Sequence, residues 1–305
     1  MINKDSRRLI TKKGTPLPWI FEQYLVYQEQ SLQASYNHIR QVRRILTDFH
    51  RYLSRENITL PNLSIEHVDN FMAGYNVSQS TRRIYRYFIK GFLKYLYHEK
   101  RIIRRDLAQV LVGPPIFAQS RLPRFLRPQQ VKKLFESLPL STPTEIRTYT
   151  MIHLAYSLGL RPVEISKLTL DDISFSKGEI TIRERKNNKP VTMPIPKESV
   201  KALAIYIGKG RPKGLSRHIF LLHHYPYRPV SAHMVGLTIS TAMKKAGLPS
   251  TAYWLRHTYA QNLLSIGRSI YEVKEMMGHH NIQSTKRYLH INTELMRKVI
   301  FDEEL

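Results

Sequence analysis

The chain has 305 residues, which is enough for two domains of ordinary size. Lysine and arginine number 48 against 23 acidic residues, and this formal charge of +25 favours a polyanionic partner such as nucleic acid. The lack of cysteine excludes disulfides, thiolate metal sites and thiol nucleophiles. No run approaches the roughly 18 apolar residues of a membrane span, and the basic start lacks the apolar centre of a signal peptide, so we expect no membrane and a cytoplasmic location.

The first third of the chain carries apolar residues at helical spacing. Helices are predicted over 18–30 and 35–54, and a shorter helix runs from a cap at Ser64 to about Gly74. We therefore expect an N-terminal helical domain over 15–110.

The segment 81–98 predicts an amphipathic helix with one apolar and one basic half. A solvated surface is the plain interpretation of such a basic half, but no acidic residue interrupts it before Glu99, so we predict DNA contact. The apolar half holds Ile84, Tyr85, Phe88, Phe92, Tyr95 and Leu96, and the basic half holds Arg82, Arg83, Arg86, Lys90 and Lys94.

A proline-rich stretch at 111–125 predicts an extended linker, and a second domain is expected over 126–305. The predicted fold class is mainly α with a small β-sheet. Two short strands, 179–183 and 190–194, flank a polar turn at Lys186–Lys189. Helices are predicted to begin at Pro128 and to cover 144–157, 197–207, 231–246, 254–266, 269–277 and 291–302.

Familiar metal and nucleotide motifs are absent from the sequence. Gly208-Lys209-Gly210 lacks the spacing of a phosphate-binding loop, and the histidine pairs are adjacent rather than one helical turn apart. Acidic clusters able to hold Mg²⁺ are scarce, which argues against two-metal nuclease chemistry. We expect no metal and no cofactor, so a reaction on phosphodiesters would depend on the chain's own cations.

Five residues form a candidate set for such a reaction. Arg161 precedes a proline at a bend, and Tyr253 lies one turn before Arg256 on an apolar helix. His279 follows Met277-Gly278 at a helix end, and Tyr288 comes nine positions later. Two arginines hold phosphate oxygens bidentately, which lysine does less well.

These residues stand in a chain that resembles the tyrosine recombinase family of the phage-integrase and Xer type. The resemblance covers about 122–290, and its motifs form one ordered series. The boxes read Gly159-Leu160-Arg161-Pro162-Val163-Glu164, Lys186-Asn187-Asn188-Lys189, Tyr253-Trp254-Leu255-Arg256-His257, Met277-Gly278-His279 and Tyr288.

The resemblance implies a role for each member of the set. Tyr288 would attack the scissile phosphate to give a 3′-phosphotyrosyl link and a free 5′-hydroxyl, without ATP. Arg161 and Arg256 would clamp the pentacoordinate phosphate. Lys186 would act as general acid toward the leaving 5′-oxygen, and His279 would assist proton removal from Tyr288.

Several assignments depart from the family pattern or stay open. Lys189 is the rival of Lys186 as general acid and is otherwise assigned to DNA contact. Tyr253 stands where the family has histidine: its hydroxyl donates a hydrogen bond to a phosphate oxygen but carries no positive charge, which either slows or disables catalysis. His257 is a weaker substitute, because one residue rotates it roughly 100° around the helix.

The resemblance also implies an architecture and a set of partners. A SAM-like helical core-binding domain and the catalytic domain would form a C-shaped clamp on a double-stranded recombination site. The tail after Tyr288 would dock on a neighbouring protomer, giving a homotetramer that exchanges strands through a Holliday junction. Integration, excision and resolution all use the same residues and stay open.

Three other functions compete with recombination. A type IB topoisomerase-like enzyme shares the phosphotyrosine step, but the short tail and the hairpin sequence favour a recombinase. A catalytically silent DNA-binding protein is the interpretation that the Tyr253 replacement permits. An RNA-binding protein would explain the charge alone, but not the ordered arginine, lysine, histidine and tyrosine set.

Overall fold

The computed structural model describes residues 17–114, 124–183, 190–248, 251–279, 281–286 and 288. The chain is mainly helical with one small sheet, which confirms the predicted fold class. It divides into two compact units, Met1–Ala118 and Gln119–Leu305. Most of the expected linker lies outside the described residues, and the domain boundaries stay a prediction.

The first unit is built from helices, as its apolar periodicity predicts. Ser35 and Ser64 cap two of them by accepting hydrogen bonds from the backbone N–H groups of His38 and His67. A short π-helical turn follows the fourth helix over Tyr95–Glu99. The helices are α1 (Trp19–Gln30), α2 (Tyr36–Arg55), α3 (Ile65–Ala73), α4 (Gln79–Lys94) and α5 (Leu107–Val110).

Aromatic rings fill much of the core of this unit. Phe21 stacks on Phe92 with ring centroids 4.7 Å apart, and Tyr24 tilts against Phe92 at 5.2 Å. Phe49 and Leu46 of α2 are fully buried beside them. This core covers one side of α4 and so fixes which of its basic residues face outward.

The apolar half of α4 is predicted correctly except at Ile84, which is 47% exposed. The buried residues include Tyr85, Ile89 and Leu93. At about 100° per residue, Ile84 lies about 100° from Tyr85, on the side away from Ile89 and Leu93. Ile84 therefore points past the edge of the core.

The second unit combines eight α-helices, a 3-10 turn (Leu170–Asp172) and a π-helical turn (Tyr206–Gly210) with three strands among its described residues. Thr142 and Ser231 cap two of the helices through their hydroxyl oxygens. Its helices are α6 (Pro128–Glu136), α7 (Pro143–Ser157), α8 (Pro162–Lys167), α9 (Lys197–Ile205), α10 (Ala232–Lys245), α11 (Ala252–Ser265), α12 (Ile270–Met277) and α13 (Gln283–Lys286); its strands are β1 (Ile173–Ser174), β2 (Glu179–Ile182) and β3 (Val191–Pro194).

The sheet is antiparallel in the order β1-β2-β3. The pairing of Ile180 with Met193 and of Ile182 with Val191 places apolar residues on one face, toward the core. The strands β2 and β3 match the two predicted ones, whereas the two-residue β1 has no counterpart in the prediction. Residues 184–189, where the sequence predicts the polar turn, lie outside the described residues.

Helices surround the core of the second unit. α11 packs against α7, and α8 packs against α10. A smaller apolar cluster joins α11 to α12 and includes Tyr259, Leu263, Val273, Met277 and Tyr288. None of the described helices combines the length and the apolar character needed to cross a membrane.

Candidate active site

Arg256 lies inside the second unit with only 3% of its surface exposed. Its guanidinium donates to the backbone carbonyls of Gly159 and Met277, which belong to two other segments of the chain. The position of Gly159 requires glycine: its φ is +61°, and a Cβ there would lie 2.3 Å from the ring of Tyr259. The fixed carbonyls orient Arg256 before any substrate arrives.

Arg161 lies beside Arg256 and shares a carboxylate with it. The side chain of Glu164 accepts from the Arg161 backbone N–H at 2.8 Å and from its Nη1 at 2.7 Å. One Glu164 oxygen, Oε2, also lies 3.7 Å from Nη1 of Arg256. Because Glu164 is 3% exposed, this buried carboxylate balances two cations and holds them on the same side of the unit.

The turn after α12 completes the arginine site. Gly278 ends the helix with φ +59°, a left-handed conformation that glycine adopts without strain. Its carbonyl lies 3.4 Å from Nη2 of Arg161, next to the Met277 carbonyl that accepts from Arg256. The Met277-Gly278-His279 box therefore brings two backbone acceptors to the two arginines.

Tyr288 is buried, with 2% of its surface exposed, in the apolar cluster of α11 and α12. Its hydroxyl lies 2.6 Å from Nδ1 of His257, and the two rings are tilted with centroids 5.6 Å apart. The ring of His279 lies parallel to the Tyr288 ring at 6.5 Å. The expected nucleophile thus lies close to two histidines.

His279 is fixed by a residue to which no sequence motif points. Its Nδ1 lies 2.8 Å from Oγ1 of Thr285, which is fully buried. A hydrogen bond to one ring nitrogen sets the rotation of an imidazole and the tautomer it adopts. The short helix α13 therefore orients His279.

Tyr253 lies in the first turn of α11 with 51% of its surface exposed. Arg256 follows one turn later on the same helix but is buried. Tyr253 is therefore an exposed residue of this turn, and its hydrogen bond to a phosphate oxygen stays a prediction. Lys186 and Lys189 lie outside the described residues, so the structure does not place the two general-acid candidates.

The basic residues of α4 differ among themselves in exposure. Arg82 donates to the Tyr75 carbonyl at 2.7 Å, and the Arg86 guanidinium lies against Gly113. Arg83 and Lys94 are exposed, while Arg82, Arg86 and Lys90 are half-buried. The position around the helix explains the burial of Arg82, because Arg82 lies only about 60° from the buried Tyr85.

Two further observations bear on the sequence predictions. Within the described residues, no three histidine or acidic side chains come together as a metal site would require. From its place on the helix, the sequence makes His257 a weak substitute for the histidine that is replaced by Tyr253. In the structure, however, Nδ1 of His257 is the ring nitrogen beside the Tyr288 hydroxyl. The spacing within α11 gave no signal of this contact, because Tyr288 belongs to a segment that returns to the helix from 31 residues away.

The amino-acid sequence matches a model of the phage integrase family over residues 124–294. It is 31% identical to the tyrosine recombinase XerD of Listeria innocua over 289 residues, which cover 90% of this chain and 94% of that protein. It is 30% identical to the tyrosine recombinase XerD of Pasteurella multocida over 282 residues, with coverage of 87% and 91%.

Solved structures show the same fold. The XerH site-specific recombinase bound to a palindromic difH substrate has a TM-score of 0.74 and 19% identity, and the match covers 92% of this chain and 84% of that one. A lambda integrase dimer bound to a COC′ core site has a TM-score of 0.71 and 14% identity, with coverage of 94% and 80%.

Fold, motif order and relatives together define a tyrosine site-specific recombinase. The chain belongs to the phage integrase family. The predicted family, enzyme class and function in site-specific recombination are therefore confirmed.

Proposed function

We propose that this chain recombines double-stranded DNA by transferring a strand onto Tyr288 and back to DNA. The observation that carries the proposal is the convergence of Arg161 and Arg256 around Glu164, with Tyr288 buried beside His257 of α11 and His279 of the turn after α12. Solved relatives with this fold are bound to DNA recombination sites. The formal charge of +25 suits a DNA partner.

In the proposed cleavage, Arg161 and Arg256 bind the non-bridging oxygens of the scissile phosphate. Each guanidinium has five N–H donors, so it keeps its backbone acceptors at Gly159, Met277 or Gly278 and donates to substrate oxygens with other N–H groups. Preorganised donors of this kind stabilise the charge that develops in the pentacoordinate transition state. Glu164 lies near both arginines and reduces the repulsion between Arg161 and Arg256.

The remaining steps are the transfer of a strand and of protons. The Tyr288 oxygen bonds to phosphorus, the bond to the 5′-oxygen breaks, and the 3′-phosphotyrosyl link stores the energy for rejoining. Lys186 donates a proton to the leaving 5′-oxygen, with Lys189 as its rival. Tyr253 donates a hydrogen bond to a phosphate oxygen, and His279 supports the nucleophile.

The assembly is part of the same proposal. Exchange through a Holliday junction needs paired sites, for which we propose a homotetramer held by the tail after Tyr288. Arg82, Arg83, Arg86, Lys90 and Lys94 of α4 supply phosphate contacts of the first unit. The C-shaped clamp and the cytoplasmic location stay predictions.

Covalent trapping tests the proposal directly. The protein is mixed with a random-sequence library of nicked duplexes, in which the loss of a short fragment prevents rejoining, and is then denatured. We expect DNA that stays attached to the protein and yields a common sequence. Y288F should abolish this adduct while DNA affinity stays within about threefold, since only one hydroxyl is removed.

Two results would contradict the proposal. DNA binding without any denaturation-resistant adduct would indicate the silent DNA-binding protein. An adduct that persists in Y288F would place the nucleophile elsewhere. A deletion from Asn292 onward tests the assembly separately: it should spare DNA binding and reduce recombination, and unchanged recombination would exclude docking of the tail.

A further inference from the structure

The hydrogen bond between His257 and Tyr288 suggests a role that the motif series does not give to His257. The hydroxyl of Tyr288 and Nδ1 of His257 are 2.6 Å apart, well within hydrogen-bond distance. Tyr288 is 2% exposed, so bulk water has little access to this hydroxyl. A buried phenol with an ordinary pKa near 10 needs an adjacent proton acceptor to become a nucleophile at neutral pH.

We infer that His257 is a catalytic residue that takes the proton of Tyr288 during strand cleavage. This inference rests on the proposed function, because it presumes that Tyr288 is the nucleophile. When the phenol donates, Nδ1 is the acceptor and the ring carries its other proton on Nε2. A neutral imidazole in this tautomer has a lone pair on Nδ1 that accepts the proton.

The proton and bond changes balance in both directions. In cleavage, the Tyr288 O–H proton passes to Nδ1 of His257 as the bond from oxygen to phosphorus forms. The bond to the 5′-oxygen breaks, and that oxygen receives a proton from the general acid. In rejoining, the 5′-hydroxyl attacks phosphorus and returns its proton to the general acid, and the departing Tyr288 oxygen recovers the proton from His257.

The position of His257 suits this task better than that of His279. His279 has its Nδ1 2.8 Å from the buried Thr285 hydroxyl, and its ring lies parallel to that of Tyr288. His257 is one residue from Arg256 on α11, so the same helix carries a phosphate ligand and the proton acceptor. A single rigid element therefore sets both in register with the reacting phosphate.

The decisive variant is H257N, because the asparagine side-chain oxygen lies near the place of Nδ1 but is not basic. We expect the rate of adduct formation at saturating nicked DNA to fall by about 10²-fold. The affinity for DNA and the cooperativity of thermal unfolding should be unchanged. H233N is the matched control, since His233 is an exposed histidine in the first turn of α10 with no part in the proposed proton transfer, and should leave the rate unaltered.

Rescue separates proton transfer from a structural role. Replacement of Tyr288 by 2,3,5-trifluorotyrosine, whose phenol is more acidic, should restore about tenfold of the lost rate in H257N. The same replacement should not rescue R161K, whose defect lies in holding the phosphate. If H257N does not fold, H257A, which removes the proton acceptor, takes its place in the comparison.

The outcomes are distinct. H257N that forms the adduct at the unaltered rate, or that gains nothing from the acidic phenol, overturns the role of His257 alone. An unaltered chain that forms no adduct overturns both this inference and the proposed cleavage.

Discussion

Two sets of cations in this protein lie in opposite surroundings. Arg161 and Arg256 of the second unit are held by Glu164 and by backbone carbonyls, and Arg256 is almost fully buried. On α4 of the first unit, Arg83 and Lys94 are exposed to solvent. The two arginines of the second unit are held in one geometry, whereas the long exposed side chains of α4 adopt many.

This difference separates two uses of positive charge. Cations that are held in place by fixed partners stabilise a transition state without reorganising, which favours rate. Exposed cations bind phosphates through displacement of counterions, which favours affinity and makes it depend on salt. If rate and affinity divide between the two sets in this way, substitutions in one set should change one quantity and spare the other.

The largest effect is expected for R256K. Lysine keeps the charge but loses the planar pair of donors that faces Gly159 and Met277. We expect the rate of adduct formation at saturating DNA to fall by about 10²–10³-fold, with affinity nearly unchanged. R83K on α4 is the control and should cleave normally. A normal rate in R256K would show that a positive charge at this position is sufficient for cleavage without the planar pair of donors.

The second prediction removes the shared carboxylate. In E164Q the amide still accepts from the Arg161 backbone N–H, but two arginines lose their counter-charge. We expect the free energy of unfolding, measured in urea at pH 7, to fall by about 3 kcal/mol. Unaltered stability would mean that solvent or other groups already balance the arginines.

E272Q is the matched control for E164Q. Glu272 accepts from the Ser269 backbone N–H in the same capping position but is exposed. Its hydrogen bonds from the Ser269 backbone and side chain lower the pKa of this carboxyl. The contribution of Glu272 to stability is therefore present above its unfolded pKa and is lost as pH falls toward the lowered value. At pH 7, E272Q should therefore lower the free energy of unfolding only slightly.

The third prediction concerns the exposed cations. R83A and K94A combined should reduce the slope of log affinity against log salt by about 1.8, or about 0.9 for each phosphate that is no longer bound. The rate of adduct formation at saturating DNA should be unchanged. The slope is measured by titration across a series of salt concentrations. A slope equal to that of the unaltered chain would exclude Arg83 and Lys94 as phosphate contacts.

Periodicity predicted most of the fold, because long amphipathic helices bury one side. It failed at Ile84, which lies at the edge of the apolar side, where angle alone does not decide burial. The strand Ile173–Ser174 is too short to leave an alternating pattern. Such features depend on neighbours that the local sequence does not specify.

The candidate site was likewise predicted only in part from the sequence. The motif order pointed to Arg161, Arg256 and Tyr288, but not to the contact of Tyr288 with His257. Helical spacing describes where His257 points on its own helix. The side chain that His257 contacts depends on where the segment of Tyr288 runs. That path is set by tertiary structure and cannot be read from helical spacing.

The last prediction concerns a buried arginine that has no carboxylate partner among the residues that the structure describes. Arg147 is 6% exposed and donates to the Leu221 carbonyl at 2.6 Å. Burial lowers the pKa of its guanidinium below the ordinary value. R147M should cost about 1–3 kcal/mol of unfolding free energy and leave the rate of adduct formation within about threefold.

R147M shows whether burial by itself makes an arginine catalytic. Both Arg147 and Arg256 are buried and donate to backbone carbonyls, but of these two only Arg256 lies within 4 Å of Glu164 among the described ion pairs. If R147M folds and yet cleaves about 100-fold more slowly, the rate depends on the integrity of the whole unit. If it cleaves normally, the shared carboxylate and the Met277-Gly278 turn distinguish the reactive pair.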